Sequence, residues 1–438
     1  MGIQRVLRIV IRTVLTSLLL MVSGASAGQQ FSVFELPPGA RPFGIALGSD
    51  GALWFPELGS NRIGRISISG ELTEFSVLTP NSAPSTITRG PDGNMWFVET
   101  MGGGRVGRIT PNGLITEFVM TAGRFFTGDI AAGPDGNVWA TMADAMTGAR
   151  IAKISPSGAI TEYLLPRSYS LADGITAGPD GNIWFTRGNQ TESSIGRMTV
   201  NGEVTGEWQL SPGRFPTRIT AGADGNLWFT ELEGNSIGRI TPGGAVTEFP
   251  IPTLNSRPRD ITLGDDGYLY FVESNASKIG RISAGGVILE FRVPFSGGEL
   301  IGIAAGPSGT IWFTDSPGSR VGRFNTSLCA LDPTTLCLSE RFRVRLRWRQ
   351  AGTFVDVDAT AVPLTRDTGA FWFFSNQNLE LMVKVVDGRG VNGHFWVFFG
   401  SLTNVEFTLD VLDTVTGTVR AYTNQQGELK SFADTSAF

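Results

Sequence analysis

An aromatic side chain recurs every 42 to 45 residues through about three quarters of this 438-residue chain. Glycine-rich turns separate the copies, and a repeat of this length with such turns is typical of the blades of a β-propeller. The aromatics occur once per repeat in the same strand context, so we expect them in the core between the blades rather than stacked on sugars. They are Trp54, Trp96, Trp139, Trp184, Trp228, Tyr270 and Trp312.

Each repeat contains four short segments, seen most plainly at 219–222, 226–231, 236–241 and 245–249. Four strands per repeat make one propeller blade. The third segment carries Gly-Arg and occurs seven times, with Ala152-Lys153 as a variant. The fourth segment carries Glu and an aromatic residue and follows only the first six copies.

The missing fourth strand is expected at the other end of the chain. The run from Phe31 to Pro37 matches the run from Val246 to Pro250 in kind. We therefore predict an all-β fold with seven four-stranded blades, in which this N-terminal strand completes the last blade. Closing the ring removes the exposed strand edges that would otherwise pair with other chains.

A tight turn separates the first two strands of several repeats, as in Gly90-Pro91-Asp92-Gly93-Asn94. Proline presets φ, and Asp-Gly-Asn tolerates left-handed backbone, so these are hairpin turns. Calcium binding is the alternative for such acidic turns, but the carboxylate spacing of a calcium loop is missing.

The N-terminal 27 residues have the pattern of a secretory signal peptide. Three arginines precede an apolar run over 14–22, and Ala25-Ser26-Ala27 offers small residues for cleavage. The apolar run is short for a membrane span, so we expect a secreted or periplasmic protein without a span after cleavage. The remaining chain has 32 basic and 40 acidic residues, a net charge of −8 that argues against a nucleic-acid partner.

The last 110 residues, 329–438, are expected to form a separate β domain after a propeller at 28–328. Cys329 and Cys337 are the only cysteines, and a disulfide is the favoured state in an oxidising compartment. Alternating apolar residues and arginines from Arg341 to Arg349 predict a strand with one arginine face. Together with several short strands downstream, it predicts a small immunoglobulin-like β-sandwich.

The arginine face has two interpretations. A two-residue turn at Ala351-Gly352 would place Arg347 opposite Asp356 and Arg345 opposite Asp358, so the row would serve cross-strand charge pairing. Alternatively, the row would bind an anionic polymer or surface, and the domain would then attach to a cell surface or a protein partner.

The repeat from Ile219 to Thr253, with Asn-Leu-Trp-Phe-Thr-Glu, Ile-Gly-Arg-Ile-Thr and Val-Thr-Glu-Phe-Pro in succession, closely resembles the virginiamycin B lyase family. The resemblance covers about residues 31–326 and includes the number of blades. It implies a seven-bladed propeller that opens streptogramin B antibiotics by elimination, with a histidine as base and a magnesium ion that stabilises the developing charge.

This chain lacks the histidines that the resemblance leads one to expect at the starts of the innermost strands. Its single histidine, His394, lies in the C-terminal domain. Because histidine is the usual base near neutral pH, we predict no catalytic residue of the family's kind. The seven equivalent positions are held by Phe43, Ser85, Gly128, Asp173, Thr217, Arg259 and Ile301.

Part of the family's acidic pattern remains. The resemblance implies a magnesium site at Glu299 and Asp315, and magnesium is the only cofactor it suggests. More broadly, the residues that end the second strands should lie on the face where the first strands begin. They would either bind a ligand or form ion pairs with arginines of neighbouring blades. The ligand-face candidates are Glu57, Glu99, Asp173, Arg187, Glu231, Arg259 and Glu273.

Blades three and four have longer loops, over 142–150 and 187–194, which we expect to project over the ligand face and shape specificity. Two functions follow. The favoured hypothesis is a secreted propeller that binds a ligand at the mouth of its channel without histidine chemistry. The alternative is a magnesium-dependent carbon–oxygen lyase acting on streptogramin B or another cyclic ester.

Overall fold

The computed structural model describes residues 31–438 except 121–123, 145–147, 167–170, 189–191, 327–332, 340, 350–351, 353–354, 376–377 and 415–417. The predicted signal peptide therefore lies outside the described residues. The described chain is all-β apart from one helical turn, α1 (Arg389–Asn392). None of its helices is long and apolar enough to cross a membrane.

Seven sheets, each of four antiparallel strands, form the seven predicted blades. The first strand of each blade contacts the first strands of both neighbouring blades, so the innermost strands close a ring. Blades 1 to 3 are β2 (Ala46–Leu47), β3 (Leu53–Glu57), β4 (Arg62–Ile66), β5 (Leu72–Ser76); β6 (Pro84–Arg89), β7 (Met95–Glu99), β8 (Arg105–Ile109), β9 (Ile115–Val119); and β10 (Arg124–Ala132), β11 (Val138–Asp144), β12 (Gly148–Ile154), β13 (Ile160–Leu164).

The remaining blades repeat this order, and the N-terminal strand β1 (Phe31–Glu35) completes the seventh. Blades 4 to 6 are β14 (Leu171–Ala177), β15 (Ile183–Gly188), β16 (Ser193–Met198), β17 (Val204–Gln209); β18 (Pro216–Ala221), β19 (Leu227–Glu231), β20 (Ser236–Ile240), β21 (Val246–Pro250); and β22 (Pro258–Leu263), β23 (Leu269–Glu273), β24 (Lys278–Ile282), β25 (Ile288–Arg292). Blade 7 is β26 (Leu300–Gly306), β27 (Thr310–Asp315), β28 (Arg320–Asn325) and β1.

The predicted ring closure is confirmed. Strand β1 pairs antiparallel with β28, with Phe31 opposite Phe324 and Glu35 opposite Arg320. Phe34 then stacks on Trp312 with ring centroids 5.4 Å apart, as the fourth-strand aromatic does in other blades. The pairing joins the first and last strands of the propeller and leaves no unpaired edge between them.

The repeated motifs build one packing unit in each blade. In blade 5, Trp228 is fully buried, stacks on Phe249 with centroids 5.4 Å apart, and lies under the guanidinium of Arg239. Its indole N–H donates to the Oδ1 atom of Asp224 in the hairpin turn, 3.1 Å away. The turn aspartate therefore serves the buried tryptophan, which is a structural use of the acidic turns considered above.

The Gly-Arg motif and its variant in blade 3 have a steric cause. A Cβ atom added at Gly238 would lie 2.1 Å from the ring of Phe229, which faces it on the neighbouring strand. The other Gly-Arg blades repeat this close contact. In blade 3 the phenylalanine position holds Ala140, and the facing residue is Ala152. The smaller side chain on one strand thus makes room for a Cβ on the other.

Two five-stranded antiparallel sheets follow the propeller and enclose a common apolar core, which confirms the predicted sandwich. One sheet contains β29 (Thr335–Leu338), β30 (Phe342–Arg349), β31 (Asp356–Asp358), β36 (Phe407–Asp413) and β37 (Val419–Asn424). The other contains β32 (Thr360–Pro363), β33 (Thr368–Trp372), β34 (Leu381–Asp387), β35 (Phe395–Ser401) and β38 (Ser431–Asp434).

The arginine face of β30 lies in a different register from the predicted one. Arg347 faces Asp358 and Arg349 faces Asp356, because six residues rather than two connect the strands. Arg347 also lies 2.8 Å from Asp410 on β36, and Arg349 lies 2.6 Å from Glu406. These contacts are the cross-strand pairing of the first interpretation.

Cys337 lies in β29 and is disulfide-bonded. Cys329 lies outside the described residues, so its predicted pairing with Cys337 stays a prediction.

Candidate ligand site at the channel mouth

The seven positions that hold histidine or its replacements come together at one end of the channel. They line a pocket of 270 Å³, with Leu58, Thr100, Phe215, Arg218 and Leu232 completing its wall. The repeat spacing thus predicted a real convergence in space. The seven positions are Phe43, Ser85, Gly128, Asp173, Thr217, Arg259 and Ile301.

Irregular pairing at the start of the innermost strands turns these side chains toward the channel. In blade 5 the ladder between β18 and β19 shifts between Pro216 and Ile219, so Thr217 and Arg218 face no partner residue in register. The hydroxyl of Thr230 accepts from the backbone N–H of Arg218, and it lies 3.0 Å from the carbonyl oxygen of Arg259 in blade 6. This threonine fixes the bulge and links adjacent blades.

A cluster of opposite charges, called the floor here, extends from the mouth into the channel. The guanidinium of Arg218 lies 2.6 Å from Asp173 and 3.7 Å from Asp129. Asp129, Arg218 and Asp260 also line an adjoining cavity of 410 Å³ in the channel. Burial raises the pKa of all three aspartates, to about 7 for Asp260, and Arg218 partly offsets the rise. Three carboxyls thus share one strongly held cation, and the floor is acidic overall.

Asp129, Arg218 and Asp260 were not predicted as site residues from the sequence. Each lies one position after the histidine position of its blade, immediately before an isoleucine that occurs in all seven innermost strands. That offset was readable in the repeat. The bulge could not be predicted from the sequence. It lets two successive residues face the channel, whereas a regular strand would present only one of them.

Two of the seven ligand-face candidates lie at the mouth, and five do not. Asp173 and Arg259 line the pocket, with 30% and 33% of their side-chain surface exposed. The other five are buried inside the blades, although Leu58, Thr100 and Leu232, which directly follow three of them, line the pocket. Those five are Glu57, Glu99, Arg187, Glu231 and Glu273.

The buried glutamates face a second glutamate on the fourth strand of the same blade. In blade 6, Glu273 lies beside Glu290 and Lys278, and Lys278 approaches Glu290 to 3.1 Å. Burial, reinforced by the like charge of Glu290, raises the pKa of Glu273 to about 8. The pKa of the equivalent glutamates rises to about 7 for the same first cause: Glu57, Glu99 and Glu231.

Blade 4 reverses this arrangement. Arg187 occupies the position of the buried glutamate, and its guanidinium lies 3.1 Å from the fourth-strand Glu207. It also donates to the carbonyl oxygen of Pro166. A cation is therefore accepted inside this blade because its fourth strand supplies the opposite charge. Asp315 likewise pairs inside its own blade, with Arg320. Among the described residues, the expected ion pairs with arginines of neighbouring blades are not seen at Glu57, Glu99 and Glu273.

The two carboxylates expected to hold magnesium do not converge. Asp315 is fully buried, lies 3.5 Å from Arg320, and accepts from the backbone N–H groups of Glu299 and Gly318. The carboxylate of Glu299 is half exposed and lies 3.7 Å from Arg259. Within the described ranges no three metal-ligating side chains lie close enough together to hold an ion. These residues therefore do not fit a magnesium site.

The longer segments of blades 3 and 4 extend strands that flank the mouth. In blade 3, β11 and β12 have seven residues each and pair as far as Asp144 and Gly148. In blade 4, β15 pairs with β16 as far as Gly188 and Ser193. The tips at 145–147 and 189–191 lie outside the described residues.

Seven four-stranded blades around a channel, with a small pocket where the innermost strands begin, define a seven-bladed β-propeller with a site at its channel mouth. The sequence model of the virginiamycin B lyase family matches residues 21–190 and 144–329. The chain belongs to that family.

Solved structures agree with this assignment. A streptogramin B lyase is 35% identical, with a TM-score of 0.62 over 69% of this chain and 99% of that one. Virginiamycin B lyase from Staphylococcus aureus is 36% identical, with a TM-score of 0.61 over 67% of this chain and 99% of its own. A catalytically inactive histidine-to-alanine variant of that enzyme, crystallised with quinupristin, gives the same values. No curated protein matches the chain.

Proposed function

We propose that this propeller is a secreted or periplasmic binding protein that holds a small ligand at the channel mouth. The observation that carries the proposal is the composition of that mouth. All seven family histidine positions line one pocket, and none of them is a histidine. A pocket can be kept while its base is lost, because the blades that shape it do not depend on the catalytic side chain.

The remaining titratable groups of the mouth are poor replacements for that base. Asp173 is held by Arg218 at 2.6 Å, and the carboxylate of Glu299 lies near the guanidinium of Arg259. A general base needs a free lone pair directed at the proton it removes. In the relative crystallised with quinupristin, the variant in which one histidine is replaced by alanine is catalytically inactive.

The second candidate is a carbon–oxygen lyase that opens streptogramin B or another cyclic ester, and family membership is the observation that favours it. Magnesium at Glu299 and Asp315 belongs to this candidate, although the directions of these two side chains do not support it. A surface or protein partner for the sandwich domain is a further part of the proposal and is compatible with either candidate.

The test is turnover of a streptogramin B lactone by the chain from residue 28, with magnesium or with chelator, followed by liquid chromatography and mass spectrometry. Elimination moves one proton and breaks one C–O bond, so its product has the mass of the substrate and a new retention time. Hydrolysis would instead add one water. The binding proposal expects neither product, and magnesium-dependent appearance of the isomer would replace it with the lyase candidate.

A further inference from the structure

The channel mouth combines apolar and charged side chains. Phe43 and Ile301 lie side by side on blades 1 and 7, and Leu58 adds to the same apolar wall. Arg259 of blade 6 lies next to this wall, and Asp173 of blade 4 lies across the ring from it. At 270 Å³ the pocket falls just below the roughly 300 Å³ at which ordinary ligand pockets begin, so it suits a small molecule.

Of the two arginines that line the mouth, Arg259 makes the weaker contacts with other groups of the protein. Its one ion pair, with Glu299, spans 3.7 Å, and within the described part of the chain its guanidinium donates no hydrogen bond. By contrast, Arg218, which lines the same pocket, contacts Asp173 at 2.6 Å. A guanidinium carries five N–H donors in a planar fork, so Arg259 has hydrogen bonds to give to a ligand.

The surroundings of Arg259 make an anion the natural partner. Burial, together with repulsion from Arg218 and Arg257, lowers the pKa of Arg259, while Glu299 and Asp173 act in the opposite direction. A carboxylate that enters the mouth can replace the long contact to Glu299 with two parallel hydrogen bonds. Glu299 is half exposed, so it can turn to water at small cost.

The acidic floor limits how much negative charge such a ligand can carry. Asp129, Asp173 and Asp260 lie around the single guanidinium of Arg218, which itself lines the pocket. A second carboxylate or a doubly charged phosphate that reached into the channel would meet these aspartates and be repelled. A ligand with one negative charge and an apolar body avoids that contact, because its body can pack on Phe43 and Ile301.

We propose that the mouth binds small monocarboxylates with a compact apolar body, the guanidinium of Arg259 holding the carboxylate while Phe43 and Ile301 pack against the body. This inference rests on the proposed binding function and names its ligand class. Arg259 is the residue that determines specificity, since it supplies the fork that a carboxylate matches and a neutral amide does not.

The test is a ligand-observed NMR titration of the chain from residue 28 with 3-phenylpropionate, its neutral amide, and phenylsuccinate as the dianion. The acid is expected to bind at least about 10-fold more tightly than the amide or the dianion. Arg259→Gln should weaken the acid about 10- to 100-fold and leave the amide unchanged. Arg257→Gln removes a nearby exposed arginine paired with Glu233 and should change neither ligand by more than about 2-fold.

The outcomes separate the two proposals. Equal binding of acid and amide, or an Arg259→Gln variant that binds the acid as well as the parent, would overturn the carboxylate class. If Phe43→Ala then weakened both ligands, binding at the mouth would stand without that class. Absence of binding by the acid at millimolar concentration would also overturn it. Melting temperatures of both arginine variants within a few degrees of the parent would show that folding is intact.

Discussion

Blades 4 and 6 share a backbone plan but carry opposite charges at two equivalent positions. At the mouth, blade 4 presents Asp173 and blade 6 presents Arg259. Behind the channel, blade 4 buries Arg187 and blade 6 buries Glu273. Arg187 meets the opposite charge of Glu207, whereas Glu273 meets the like charge of Glu290. The comparison shows that the fold determines where the side chain lies. The charge of the neighbouring side chain determines the free-energy cost of burying a charge there.

The largest effect is expected when blade 4 is given the charge of blade 6. Arg187→Glu would place two carboxylates in contact inside the blade, and the free energy of unfolding should fall by about 4 kcal/mol at pH 8. At pH 5 the loss should be smaller, since one proton shared by the pair removes the repulsion between the two carboxylates. Arg187→Met copies Met142 of blade 3 and is the control. Urea unfolding at both pH values measures this, and equal losses at the two pH values would refute the explanation.

A smaller effect is expected when blade 6 is given the steric features of blade 3. In Gly280→Ala the new Cβ would lie 2.0 Å from the ring of Phe271, and the free energy of unfolding should fall by about 2 kcal/mol. Phe271→Ala removes the ring and restores the small pair seen at Ala140 and Ala152. The double variant should lose about 1 kcal/mol less than the sum of the single losses. Strictly additive losses would contradict the steric cause.

The smallest effect concerns protonation of Glu273. Its pKa in the folded chain is raised to about 8 from an ordinary 4.5, so the folded state binds more protons than the unfolded state between these values. Stability from this group is complete below about pH 4.5 and is lost as the pH rises through about 8. Glu273→Gln should therefore raise the free energy of unfolding by about 1 kcal/mol at pH 8.5 and change it little at pH 5.

Glu290→Gln is the matched control for that prediction. Hydrogen bonds from Thr253 and Lys278 lower the pKa of Glu290 against the effect of burial, so its ionised form is the stabilised one. Neutralising it should destabilise the blade at pH 8.5. Thermal unfolding at the two pH values measures both variants. If Glu273→Gln and Glu290→Gln changed stability in the same direction at pH 8.5, the assignment of the protonated partner would be wrong.

Most of the fold could be predicted from the sequence repeat. The recurring aromatics, the Gly-Arg copies and the unmatched N-terminal strand predicted the blade number and the closure between β1 and β28. The register of β30 and β31 was predicted two residues away from the observed one. Both registers keep the arginines and aspartates on the same faces, so alternation cannot distinguish them; only the loop length does.

The site was less readable than the fold. The repeat correctly predicted that Asp173 and Arg259 lie together at the mouth, because residues at the same position of successive repeats occupy equivalent places in a ring. The repeat pattern shows that a residue lies at one end of the propeller, but not whether its side chain faces the channel. Glu57 and its equivalents were therefore expected beside the ligand. They are buried inside the blades. Arg218 reaches the channel through a bulge, which depends on contacts between blades rather than on a local pattern.

The most direct test of ligand binding at the mouth is a crystal structure of the chain from residue 28 grown with 3-phenylpropionate. Electron density for the acid is expected among the seven innermost strand starts, with its carboxylate on Arg259 and its ring against Phe43 and Ile301. Density for the acid elsewhere, with Arg259 still turned to Glu299 and no ligand at the mouth, would contradict the account.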